Sequence, residues 1–417
     1  MGVEERLLAI LIFFSTYLGI AIGSIPGLAI DRTGIAILGA TAMITFGLVK
    51  IEEALSFIHV PTLLLLYGLM VLSAQLKVGG FYTQMALKIV QAFKGPKRFL
   101  LLMMVVSSLL SAVLANDIVC LAFTPVICLS MLKLKVNPIP FLLGLVMASN
   151  IGSASTIIGN PQNMLIGQVG KLPSGEFILW CGPPSVISLF LSYLFLILFY
   201  RGKWYLKDDQ TGFELEEEPL QYDPHHTKKG LILTALLLFG FFTPIPREVL
   251  AITVAGVLLC SRYITTREIL SFVDWHLLAL FVGLFVIIGG VSKFNIPQKI
   301  LGELRAFGFD LQNPKVLTVI TLVLSNILSN VPAVTLIIHN FDLSLKEHLY
   351  LLALVSTYAG NLITIGSIAN LITIEQASRF NVKITFKGYA KCGIPITFCT
   401  VLIGFLWWSI FGSFIRD

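Results

Sequence analysis

The sequence predicts an all-α polytopic membrane protein made of two inverted-topology repeats, and three observations predict it. The 417 residues are 56% hydrophobic and only 12% charged, with a mean hydropathy of +0.88, a balance no soluble fold needs. Apolar runs of roughly 17–25 residues, the length that crosses a bilayer as a helix, recur along the chain. Landmarks of the first half also return in order in the second. Leu55-Ser56-Phe57 returns as Leu270-Ser271-Phe272 at an offset of 215, and Leu114-Ala115-Asn116 as Leu328-Ser329-Asn330 at 214. Asn150 returns as Asn361 at 211, and Asn163 as Asn370 at 207. A slowly drifting offset marks a duplicated unit with small deletions.

The first repeat is expected over residues 1–200. Its first run, Leu7–Ile30, follows Glu4, Glu5 and Arg6 without a basic leader or a small-residue cleavage site, so it reads as a retained helix rather than a signal peptide. Gly34–Val49 and Val60–Leu76 read as spans, and Phe81–Phe93 as an amphipathic interfacial segment. Phe99–Ala115 and Ile118–Leu132 are separated only by Asn116-Asp117, which predicts a hairpin over 99–132. A broken helix follows over 139–166, then a span at Phe177–Tyr200. Residues 201–229 are polar and read as a linker. They carry Asp208-Asp209, the run Glu216-Glu217-Glu218, and His225-His226, a pair that without a third ligand fits a solvated loop better than a metal site. The second repeat, 230–417, is expected to hold a hairpin at 316–338 and a broken helix at 349–374. Trp407 and Trp408 read as interfacial anchors.

Loop charge sets the orientation. With five crossings in each half, an odd number, the second half is inverted relative to the first. The linker side then collects 19 Lys and Arg and the opposite side 10, which places the linker in the cytoplasm and both termini outside.

The stretch Ser149–Asn163 is the most telling in the chain. It lies inside an apolar run yet holds three Asn, several Ser and Thr, two Gly and a Pro. Irregular backbone at membrane depth survives only where it is packed in protein or lines a wet cavity, and broken helices are how membrane carriers present backbone dipoles to a solute. Asn150, Ser153, Ser155, Thr156, Asn160 and Asn163 form one polar set; Asn361, Thr364, Ser367 and Asn370 form the second, with Gly360 and Gly366 giving backbone freedom. The alternative is that these groups bond back to their own helices or glue neighbouring ones. Asp117, a carboxylate between two charge-free runs, reads as functional, and as an N-cap for the helix that follows; the two roles are compatible. His59, His276 and His339 lie near span ends, and Glu375 follows the second break.

The composition excludes several classes. There is no Walker A sequence, nucleotide fingerprint, zinc-protease motif or catalytic triad, so neither an enzyme nor a built-in ATP motor is expected. The six cysteines show no CxxC or Cys/His spacing, and no metal or organic cofactor is expected. The net charge of +6 sits in short loops and is not a nucleic-acid signal.

At these residues the chain resembles the ion-transporter superfamily of arsenite-efflux permeases, citrate and divalent-anion symporters, and sodium/proton antiporters of the same fold. Leu114-Ala115-Asn116-Asp117, with Thr124-Pro125 beyond it, is similar to the Ala-Asn-Asp hairpin of arsenite permeases. The string Asn150-Ile151-Gly152 followed by Ile158-Gly159-Asn160-Pro161-Gln162-Asn163 is similar to the broken-helix motif shared more widely. The resemblance implies a scaffold part, a transport part and an elevator-type cycle. It implies a substrate or ion site at Asn116, Asp117, Asn150, Gly152, Ser153, Thr156, Asn160, Asn163, Ser329, Asn330, Asn361 and Thr364, with Asp117 as the proton-coupling group. The hairpin tips read Ala-Asn-Asp and Ser-Asn-Val, where divalent-anion symporters carry Ser-Asn-Thr twice, which argues against sodium-coupled dicarboxylate transport. No Lys or Arg stands in the breaks or at the tips. Arsenous acid and its antimony analogue are neutral trihydroxy species near pH 7, suited to Asn, Ser and Thr. The expectation is therefore proton-coupled export of arsenite or antimonite through the cell membrane. The alternatives are sodium- or proton-coupled transport of citrate or another anion, and sodium/proton antiport. A soluble ATPase subunit, which some arsenite permeases carry, is implied as an optional partner that nothing in the chain requires.

Overall fold

A computed structural model describes residues 3–22, 29–206, 222–260, 264–296, 308–339 and 341–415, with 299, 303 and 305 besides. Among the described residues the chain is helical throughout, apart from one isolated bridge between Val136 and Tyr205. In the first half the helices are α1 (Val3–Ile22), α2 (Arg32–Thr45), α3 (Ile51–Phe57), α4 (Val60–Val78), α5 (Phe81–Gln91), α6 (Pro96–Val113), α7 (Asn116–Lys133), α8 (Ile139–Ser153), α9 (Pro161–Val169) and α10 (Ser174–Phe199). The second half holds α11 (Pro224–Gly240), α12 (Arg247–Leu259), α13 (Thr266–Ser271), α14 (Trp275–Lys293), α15 (Pro314–Leu328), α16 (Asn330–Ile338), α17 (Lys346–Ala359), α18 (Ile368–Ser378) and α19 (Phe386–Phe411). By length and composition α1, α4, α6, α7, α10, α14 and α19 can each cross a membrane.

The helices pair across the two halves. α2 packs on α14 and α4 on α12, each at a crossing of small residues. A Cβ added to Gly68 would lie 2.5 Å from the Ala251 carbonyl carbon, and one added to Gly283 would lie 2.8 Å from that of Ala36. The two glycines are 215 residues apart and so are the two alanines, so one contact is made twice with its partners exchanged. Without a hydrophobic drive between helices in lipid, such close approach is what holds them together. The same ends are tied by polar caps. Asp274 caps α14 through the Leu277 amide at 2.9 Å, while the Lys293 ammonium at its far end meets Glu53 of α3 at 2.7 Å. That hydrogen bond, with a second from the Lys50 amide, holds the Glu53 carboxyl below the usual carboxylate range.

Some boundaries differ from expectation. α1 ends by Ile22, and residues 23–28 of the expected first run lie outside the described residues. α2 ends at Thr45 rather than Val49, because the chain turns at Gly47 with φ of 72°. Residues 207–221 of the linker, which carry its acidic run, lie outside the described residues. His225 and His226 are not in a loop. They form the first turn of α11, where Asp223 accepts their backbone amides at 2.8 and 3.2 Å. The two hairpins are unequal: α6 and α7 have 18 residues each, whereas α15 has 15 and α16 only nine. At 1.5 Å per residue α16 spans about 14 Å, less than half a hydrocarbon core.

Candidate functional site

Each hairpin is laid against a broken helix. The first break runs from Ala154 to Asn160 between α8 and α9, the second from Gly360 to Ser367 between α17 and α18, and both expose carbonyls with no helical partner. Side-chain amides supply the missing donors. Asn163 donates to the carbonyls of Thr156 at 3.0 Å and Ser153 at 3.3 Å, and Asn370 donates to those of Gly360 at 2.7 Å and Ile363 at 3.0 Å. Two residues matched by sequence thus clamp their own breaks in the same way. Asn160 caps α9 through the Asn163 amide at 2.9 Å, and its amide donates to the hydroxyls of Ser153 and Thr357.

The breaks are also joined to one another. The buried Asn150 donates to Asn361 at 2.8 Å and to Asn370 at 3.2 Å, while its oxygen accepts from Asn116 at 3.3 Å and from the Ser367 hydroxyl at 3.1 Å. Asn150 therefore connects the first hairpin tip to both breaks. The Asn361 amide nitrogen is buried without an acceptor among the described residues. At the second tip Ser329 has a positive φ of 77°, and Asn330, with its amide turned to suit its neighbours, donates to the carbonyls of Ser356 at 3.1 Å and Gly366 at 3.3 Å.

Several of the expected residues are engaged in packing or in ties between helices. Gly152 lies where α8 crosses α6, and an added Cβ would fall 2.6 Å from Ser108 Cα, so its part is close packing. Thr156 donates to the Ala112 carbonyl of α6, and Ser149 bonds Ser111 at 2.7 Å, fixing the broken helix to the hairpin arm. Thr364 is buried in the 3-10 turn Thr364–Gly366 of the second break.

Asp117 opens onto a cavity of about 180 Å³ bounded by α4, the first hairpin tip, the start of α9 and the α13–α14 junction. Its lining includes Asn116 and Asn160 but none of the other expected site residues. Three of its charged or polar lining residues escaped the sequence reading: Ser73 and Lys77 of α4, and Asp274. The Lys77 ammonium rests over the Phe272 ring, 4.3 Å from its centroid. The absence of basic residues from breaks and tips holds, yet it does not extend to the cavity, because α4 brings Lys77 there from outside both motifs. A lone lysine near the end of an apolar helix reads as a snorkelling span-end charge, so only the packing reveals it. Asp274 carried a usable signal, since it stands 215 residues after His59 at the start of the matching helix. Of the lining residues only Lys77, Asp117 and Asp274 are charged, summing to one negative charge when all are ionised.

The model of a family described as citrate transporters matches residues 10–357. Among curated proteins, the silicon efflux transporter LSI3 of Oryza sativa subsp. japonica is 28% identical, covering 91% of this chain and 93% of its own. The putative transporter arsB of Dictyostelium discoideum is 25% identical, covering 90% and 87%. A 46 kDa membrane protein of Mycobacterium leprae is 26% identical, covering 96% and 98%. Two solved structures share the fold: MtrF of Neisseria gonorrhoeae (TM-score 0.60, 13% identity, 97% and 94% covered) and the YdaH transporter of Alcanivorax borkumensis (TM-score 0.53, 12% identity, 98% of each).

Proposed function

Because the chain belongs to the citrate transporter family and is therefore a multi-pass secondary transporter of small solutes rather than an enzyme, we propose that it exports arsenite or antimonite across the cell membrane in exchange for protons. The observation that carries this reading is the cavity at Asp117. At about 180 Å³ it is smaller than the roughly 300–1,000 Å³ of sites for drug-sized ligands. With two carboxylates against one ammonium it repels a dianion, while a neutral trihydroxy acid finds acceptors in Asp117 and Asp274 and donors in Lys77, Ser73 and Asn160. The relatives bearing the names silicon efflux transporter and arsB support the same class, since silicic acid is also a small neutral polyhydroxy species.

In this reading the two halves are inverted repeats. The paired helices α2, α4, α12 and α14 form a stationary scaffold, and the hairpins with the broken helices form a unit that moves against it. The linker is cytoplasmic, so the cavity opens inward. Asp117 releases its proton as solute binds and regains one outside, which makes proton influx drive solute out. The membrane potential contributes about 2.3 kcal/mol per charge per 100 mV, ample for export without an ATPase subunit. Sodium coupling is the alternative, and Lys77 favours a second reading, transport of a singly charged carboxylate, in line with the family's description.

The test is arsenite accumulation in everted vesicles under an imposed proton gradient. Gradient-dependent uptake by the wild type, lost in Asp117→Asn, is the expected result. Uptake that is unchanged in Asp117→Asn sinks the coupling role, and no uptake by folded protein removes arsenite in favour of the carboxylate.

A further inference from the structure

At the end of the molecule opposite the cavity, α12 holds the end of the first broken helix. Arg247, the first residue of α12, donates to the Gly167 carbonyl at 3.4 Å and to the Leu172 carbonyl, and its neighbour Glu248 accepts from Gln168 at 3.1 Å. A guanidinium fork thus caps the negative end of α9, joining a scaffold helix to the unit that moves.

The second half offers matching acceptors. Just beyond α9, Lys171 has φ of 49° and the Leu172 amide bonds the Gly167 carbonyl at 3.0 Å; just beyond α18, Asn381 has φ of 58° and the Val382 amide bonds the Ala377 carbonyl at 3.1 Å. The carbonyls of Ala377 and Val382 are therefore the counterparts of those that Arg247 holds. The matching arginine is present too. Arg32, the first residue of α2, precedes Arg247 by 215 residues, the offset shared by the small-residue crossings. It lies at the cavity end of the scaffold, since its neighbour Thr33 bonds the His276 carbonyl at 3.3 Å beside Asp274. Among the described residues the Arg32 side chain makes no hydrogen bond or ion pair.

We propose that Arg247 and Arg32 are alternating latches: Arg247 caps α9 while the cavity is open, and Arg32 caps α18 through Ala377 and Val382 when the moving unit has crossed and the cavity has closed. The inference rests on the alternating-access reading above. It assigns to each arginine the stabilisation of one conformation and gives neither a contact with solute.

The test is the distance distribution between spin labels at Ser271→Cys on α13 and Lys387→Cys on α19, in nanodiscs, with the more exposed Cys260 and Cys399 replaced by Ser. Wild-type protein is expected to show two populations. Arg247→Gln shifts them toward the cavity-closed form and Arg32→Gln toward the cavity-open form, each by about tenfold for the loss of a charge-assisted hydrogen-bonded cap. The double variant returns to a near wild-type ratio, and Arg247→Lys recovers part of the shift, because one ammonium replaces a fork poorly. Two populations that ignore Arg247→Gln, or that move the same way in both variants, overturn the latches and leave alternation standing. A single distance in every variant overturns both.

Discussion

Asn163 and Asn370 show what a polar side chain does inside a broken helix: each donates to carbonyls at its own break, Asn163 to three and Asn370 to two. Replacing Asn163 by Ala removes the donor to the Thr156 carbonyl, at about 1–3 kcal/mol, while the Ser153 carbonyl keeps the Asn160 amide at 3.2 Å, so the melting temperature in detergent should fall. Asn163→Asp should be no better, since a carboxylate cannot donate. Gly152→Ala should destabilise through overpacking against Ser108, by about 1–3 kcal/mol, with little effect on solute affinity in the protein that folds; a large rise in KM would instead return Gly152 to the site. At this scale the sequence was informative where chemistry is local. Asn150, Asn163, Asn361 and Asn370 stand out because amides are costly in an apolar run. Lys77 did not, because its significance is created by three helices that meet far from it in sequence. Its replacement by Met should weaken export of a neutral hydroxy acid only by the loss of one of three donors yet abolish transport of an anion, a contrast that competition assays with citrate can read.

Individual helices of the first half were legible to within a few residues, as for α4, α6 and α7, whereas the end of α2 was read through Gly47 to Val49. The inequality of the hairpins was not legible, since hydropathy reports apolar length and not where the chain turns; the tip at Ser329 depends on a positive φ that its type does not announce. The docking of α3 on α14 gives a prediction of sign. Glu53 is held below the usual carboxylate range by Lys293 and Lys50, so its contribution is present at neutral pH and above its unfolded pKa, and is lost as pH falls through its folded one. Wild-type protein should therefore lose its stability advantage over Glu53→Gln on acidification below the ordinary carboxylate range, seen as converging melting temperatures. Because the pair is partly exposed, salt should shrink the effect as well.

For the molecule as a whole, the sequence shows landmarks that keep their order and spacing, whereas the pairing of α2 with α14 and of α4 with α12 appears only in the packing. Orientation is testable with a native residue. Cys260 is exposed at the end of α12, on the side assigned to the cytoplasm, so a membrane-impermeant maleimide should label it in everted vesicles and not in intact cells. The reverse pattern would invert the topology and with it the direction of transport. The tie between Asn150 and Asn361 bears on that direction. Under the proposed cycle two breaks locked to each other travel as a rigid cargo hold, unchanged in shape from one face to the other. A hold of fixed shape binds its freight equally well on either side, so the device has no intrinsic polarity. Extrusion is then a property of the gradients alone, and reversing them should make the same protein fill the cell.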